Sequence, residues 1–153
     1  FNNKNPGETW GYRSLEGEIA LAKGDLERAE AAFSAGLPIG KMPGGGLTGP
    51  SFYMHNSPSR DWKARIHKAR GDAAAAIAEY RRLLTPGADQ KFMGVLEPRY
   101  VLELARLLDQ EGDLEAARQE YRRFLDLWKS ADPDLPELAQ ARSRLAQLET
   151  TPP

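Results

Sequence analysis

The residues most open to a chemical reading lie in "KMPGGGLTGPSFYMHNSP", positions 41 to 58. Gly44, Gly46 and Gly49 have the G-x-G-x-x-G spacing with which a dinucleotide-binding turn brings backbone amides to a pyrophosphate. That chemistry needs a strand before the first glycine and a helix opening at the third, so that amides and helix dipole meet the phosphate. Pro43 precedes the turn, Pro50 follows it, and no β-branched run lies upstream. The letters match and the mechanism is missing. "GLPIGKM", from Gly36, also fails as a phosphate loop, with three residues between its glycines and Met42 where Ser or Thr would hold magnesium. No cofactor is expected.

His55 and His67 stand outside any H-x-x-x-H or H-E-x-x-H pattern, and no carboxylate cluster accompanies them, so no metal is expected. His67, four positions before Gly71, points towards a helix interface as a structural histidine. No serine sits in a G-x-S-x-G turn, and carboxylate pairs such as Asp109 with Asp113 read as solvated helix ends. Zero cysteines exclude disulfides, thiolate zinc sites and Cys nucleophiles, and leave the compartment open. No constellation would run a reaction, and the chain reads as non-catalytic.

The elements that would position these residues show themselves as a repeat. "GDLERAEAAF" from Gly24, "GDAAAAIAEY" from Gly71 and "GDLEAARQEY" from Gly112 superimpose without gaps. Each has alanine five positions after the glycine (Ala29, Ala76, Ala117) and an aromatic nine after it (Phe33, Tyr80, Tyr121). Seven before each glycine is a small residue (Gly17, Ala64, Ala105), and five before it an aliphatic (Ile19, Ile66, Leu107). This is the pattern of a helical hairpin. Glycine ends one helix in the left-handed conformation, and aspartate caps the next through its carboxylate. Apolar residues then recur at helical spacing: Ala73, Ala76, Ile77, Tyr80, Leu83 and Leu84 in the second unit, and Leu114, Ala117, Tyr121, Phe124, Leu125 and Trp128 in the third. Small residues at 64, 76, 105 and 117 allow the paired helices to approach closely. Beyond the third unit, Asp134 and Glu137 spell a D-x-x-E capping box before a stripe of Leu135, Leu138, Ala141, Leu145 and Leu148.

A small residue, Gly-Asp, alanine, then an aromatic on paired helices resembles the tetratricopeptide repeat. The resemblance covers residues 98 to 131 and 58 to 85, and more loosely 10 to 37, where Gly36 replaces a larger core residue. It implies an all-α, right-handed α-solenoid of three helix-turn-helix hairpins, closed by a capping helix over 135 to 149, with long loops between repeats. The ending, "YRRFLDLWKSADPDLPELAQARSRLAQLE", also resembles the C-terminal part of tetratricopeptide regions that follow kinase or DNA-binding domains in large bacterial regulatory proteins. The chain opens at Phe1 without an initiator methionine, which is what a fragment of a longer protein would show.

The resemblance implies binding of a protein or peptide along a groove lined by the first helices. Facing positions would be Ser14, Glu18 and Leu21, then Asp61, Arg65 and Lys68, then Leu102, Arg106 and Asp109. Relatives that grip a C-terminal carboxylate use lysine and asparagine where Ser14 and Glu18 stand, so that clamp is not expected. Asp61, Arg65, Lys68 and Arg106 are the candidate contacts, with the cations suited to an acidic partner. Residues 60 to 82 hold seven basic against three acidic residues, and 103 to 149 seven against eleven. Phe52, Tyr53 and Met54 in the long first connection are further candidates, being poor company for a purely solvated linker. The overall charge of -1 offers nucleic acid no general attraction, and no apolar run approaches a membrane span. A structural or self-associating module serving an upstream regulatory domain is the alternative function.

Overall fold

The structure, a computed structural model, describes residues 6–35, 60–85 and 96–150. Over these the chain is all-α: α1 (Pro6–Ala22), α2 (Leu26–Ser34), α3 (Trp62–Ala69), α4 (Ala73–Leu84), α5 (Glu97–Gln110), α6 (Leu114–Leu127) and α7 (Pro136–Thr150). Helices α1 and α2, α3 and α4, and α5 and α6 pair as hairpins; α2 packs on α3, α4 on α5 and α7 on α6. These are the stacked hairpins and closing helix expected from the repeat. The two connections, with Phe52, Tyr53, Met54, His55 and the glycine run, lie outside the described residues.

Each hairpin turns on the same local chemistry. Gly24, Gly71 and Gly112 have φ of 76°, 77° and 82°, where a Cβ would be strained. The amide of the following aspartate reaches back to the carbonyl five residues earlier: Asp25 to Ala20 at 3.0 Å, Asp72 to His67 at 2.9 Å, Asp113 to Leu108 at 3.0 Å. The glycine amide donates to the carbonyl three residues earlier in all three turns, completing a Schellman closure. The same aspartates cap the next helix, accepting from the amides of Arg28, Ala75 and Ala116 at 3.1, 3.0 and 3.3 Å. Gly-Asp thus stops one helix and starts another.

The hairpins close where small residues meet. Ala64 and Ala76 are buried in the second, Ala105 and Ala117 in the third. In the first, a Cβ built on Gly17 would lie 2.6 Å from the Phe33 ring. One continuous core runs from α3 through α7 and includes Tyr80, Tyr100, Leu104, Phe124, Leu138 and Leu148. A smaller cluster of Ala20, Ala29 and Ile66, with Phe33 and Trp62 against it, joins the first hairpin to the second.

Two expectations change. Ile66 and Leu107 are buried, but Ile19 is exposed, because no hairpin precedes α1 among the described residues to cover it. The capping box at Asp134 gives way to a helix that opens at Pro136, a residue whose fixed φ and missing N–H suit the first helical position. The Asp132 carboxylate turns the chain instead, accepting from the Asp134 amide at 3.0 Å.

Candidate partner-binding groove

The first helices of the hairpins line an open groove of about 580 Å³. Helix α1 contributes Glu18 and Leu21, and the start and outer face of α3 contribute Asp61, Arg65 and Lys68. Tyr80 of α4 and Arg99 and Glu103 of α5 complete it. Positions four or so apart on α3 share one face, which is why Asp61, Arg65 and Lys68 arrive together.

The cations expected to meet a partner already meet carboxylates, Arg65 and Lys68 those of neighbouring hairpins and Arg106 one on its own helix. Arg65 grips Glu18 of α1 with two bonds, 2.8 and 2.6 Å long, and that bond holds the guanidinium more firmly protonated. Lys68 donates to Glu103 of α5 at 2.7 Å, and Arg106 reaches the same carboxylate at 2.8 Å. Burial acts to raise the pKa of Glu103, but these bonds outweigh it and hold the carboxyl below its ordinary value. The groove wall is therefore a charge-compensated lattice of both signs.

Asp61 differs from its neighbours because its side chain is wholly buried. Burial pushes its carboxyl above the ordinary range, and Arg99 at 3.2 Å and Arg65 at 3.7 Å pull against that without reversing it. Oδ2 accepts from the Tyr80 hydroxyl at 3.3 Å and from Arg99. Oδ1 accepts no hydrogen bond from the described residues, nor does the buried Tyr100 hydroxyl find a partner among them. Burial also pushes the Tyr100 hydroxyl up to about 12.

The third hairpin departs from the expected lining. Leu102 is buried, and Arg106 and Asp109 face α7, where Arg106 bonds Gln140 at 2.9 Å. Arg144 grips Asp109 with two bonds of 2.7 Å and holds its carboxyl below the usual range, so Asp109 is no solvated helix end. Arg99 and Glu103 take the expected places in the groove. Glu103 sits one turn before Arg106 on α5, a spacing the sequence shows; Arg99 carries no such signal. His67 is half-buried, its Nδ1 3.6 Å from Asp72 across the hairpin turn. Among the described residues no group of three or more His, Cys, Asp and Glu could hold a metal ion, and no helix is long and apolar enough to cross a membrane.

No curated protein matches the chain. A model of the tetratricopeptide repeat matches residues 98–127, the span of α5 and α6. The third hairpin is therefore a tetratricopeptide repeat within a helical-repeat fold, and a repeat of this kind implies a protein-interaction module.

Proposed function

We propose that the chain is a non-catalytic interaction module that takes a protein or peptide segment in the groove between α1, α3 and α5. The observation that carries this reading is the open groove of about 580 Å³ that Glu18, Arg65, Lys68, Arg99 and Glu103 line with both signs of charge, on a chain that contains a tetratricopeptide repeat. Accessible side chains of both signs on one wall can exchange their present partners for those of an extended segment. The paired charges favour a partner carrying both signs: its acidic groups exchange with Glu18 and Glu103 for Arg65 and Lys68, and with the carboxylate of Glu103 for Arg106. Phe52, Tyr53 and Met54 extend the proposed contact surface, and a variant lacking residues 44 to 50 tests that part separately.

Peptides selected from a random display library against the chain test the groove. They should lose affinity by about tenfold or more on Lys68→Glu. Lys129→Glu, an exposed lysine near the end of α6, should leave binding unchanged. Selection that enriches nothing, or peptides indifferent to Lys68→Glu, would overturn the reading.

A further inference from the structure

The outer face of α1 carries an apolar stripe. Tyr12, Leu15 and Ile19 follow at spacings of three and four, share one side of the helix, and are 67%, 60% and 48% exposed. With Glu16, Lys23 and Arg28 they line a shallow groove of about 190 Å³. A stripe of this kind needs a cover, and the repeat shows which kind.

Counted back from the turn glycine, Tyr12 corresponds to Tyr100, Leu15 to Trp62, and Ile19 to Ile66. Each counterpart is covered by the second helix of the preceding hairpin. Trp62 stacks on Phe33 of α2 with ring centroids 5.4 Å apart, and Tyr100 meets Tyr80 of α4 at 6.1 Å. Ile66 is 2% exposed in a cluster with Ala29 of α2. The charges follow the same register. Lys23 corresponds to Arg70, whose guanidinium pairs with Glu30 of α2.

We propose that this face docks an amphipathic helix of the α2 kind, supplied by a partner protein, carrying a carboxylate and, one turn later, an aromatic residue. The aromatic lies over Leu15 and the carboxylate meets Lys23, with the helix antiparallel to α1. That direction follows from α2 on α3, where Phe33 lies at the start of α3 and Glu30 reaches Arg70 at its end. Among the described residues a second copy of this chain offers no uncommitted helix for the place. Its α2 and α4 already cover α3 and α5, and the far end of the stack turns Arg142, Ser143, Ala146 and Glu149 outward. The surface occupies a different face of α1 from Glu18 and Leu21, and it stands whether or not the groove binds a peptide.

The test is fluorescence anisotropy with a hydrocarbon-stapled, labelled peptide of the sequence of residues 24 to 35, titrated with the whole chain. Saturable binding is expected, weakened about tenfold or more by Ile19→Glu in the protein. Reversing the peptide's Glu30 to lysine should weaken binding about threefold, and Lys23→Glu should restore it. Ile19 and Lys23 are exposed, and circular dichroism of each variant checks that the fold is kept. No saturable binding below about 1 mM would overturn the proposal, as would binding that Ile19→Glu leaves unchanged. Sedimentation equilibrium showing a dimer of the chain alone that Ile19→Glu dissociates would also overturn it, placing a second copy on this face.

Discussion

Asp61 and Asp109 are both aspartates beside arginines, and their surroundings move them in opposite directions. Asp109 keeps contact with water and is gripped by Arg144, so its folded-state pKa is lowered. Its contribution to stability is present above the ordinary aspartate value and is lost as pH falls through the lowered one. Asp109→Asn should therefore cost about 1 kcal/mol near neutrality. In urea titrations the gap to the parent should close as pH falls below the ordinary aspartate value. Asp61 is raised by burial, so the folded state holds its proton more tightly and its charged form weakens the fold as pH rises through that window. Asp61→Asn should gain on the parent as pH rises above the ordinary aspartate value, ending within about 1 kcal/mol of it or above. A large loss at neutral pH would mean that the Arg99 and Arg65 contacts outweigh desolvation. The repeat resemblance placed Asp61 on the groove with Arg65 and Lys68, and the three do line one groove. It could not show that Asp61 is buried, since Tyr80 and Arg99 come from other elements.

At the scale of elements, the Gly-Asp turns were the most legible part of the chain. A turn's hydrogen bonds close within about six residues, so the identities of glycine and aspartate suffice to specify it. Gly112→Ala should cost about 1–2 kcal/mol because φ of 82° forces its Cβ into strain. Asp113→Ala should cost about 1 kcal/mol through the amide it leaves uncapped. Both can be read from thermal melts, and equal melting temperatures for parent and variants would contradict the turn geometry. The close helix pairing makes a different demand. Gly17→Ala places a methyl against the Phe33 ring, which Trp62 backs by stacking, and overpacking of this kind costs about 1–3 kcal/mol. Ala117→Leu should cost about the same in the third hairpin, where Ala117 is fully buried. Asp134 shows where local motif reading fails. Its D-x-x-E pattern is a valid cap, but Pro136 suits the first helical position better and starts the helix later.

Across the whole molecule, hairpins are joined by aromatic contacts at the core and by ion pairs at the rim. Glu18 with Arg65, Lys68 with Glu103, and Asp109 with Arg144 each tie one first helix to the next element in the stack. Helix α7 buries Leu138, Ala141 and Leu148 against the third hairpin. Removing residues 136 to 153 should lower the unfolding free energy by about 3 kcal/mol or more, from the two leucines alone. A urea midpoint unchanged by that truncation would mean α7 is not part of the cooperative unit. The sequence by itself determined the number of hairpins in the described residues, their turns, their small-residue contacts and the closing helix. Each of these rests on interactions within some forty residues, which periodicity and spacing record. Only the tertiary structure decided that the groove cations are already paired, that Arg106 and Asp109 face α7, and that Ile19 is left uncovered. Those outcomes depend on which residue of another hairpin lies opposite, and no spacing along one helix encodes the chemistry of its neighbour.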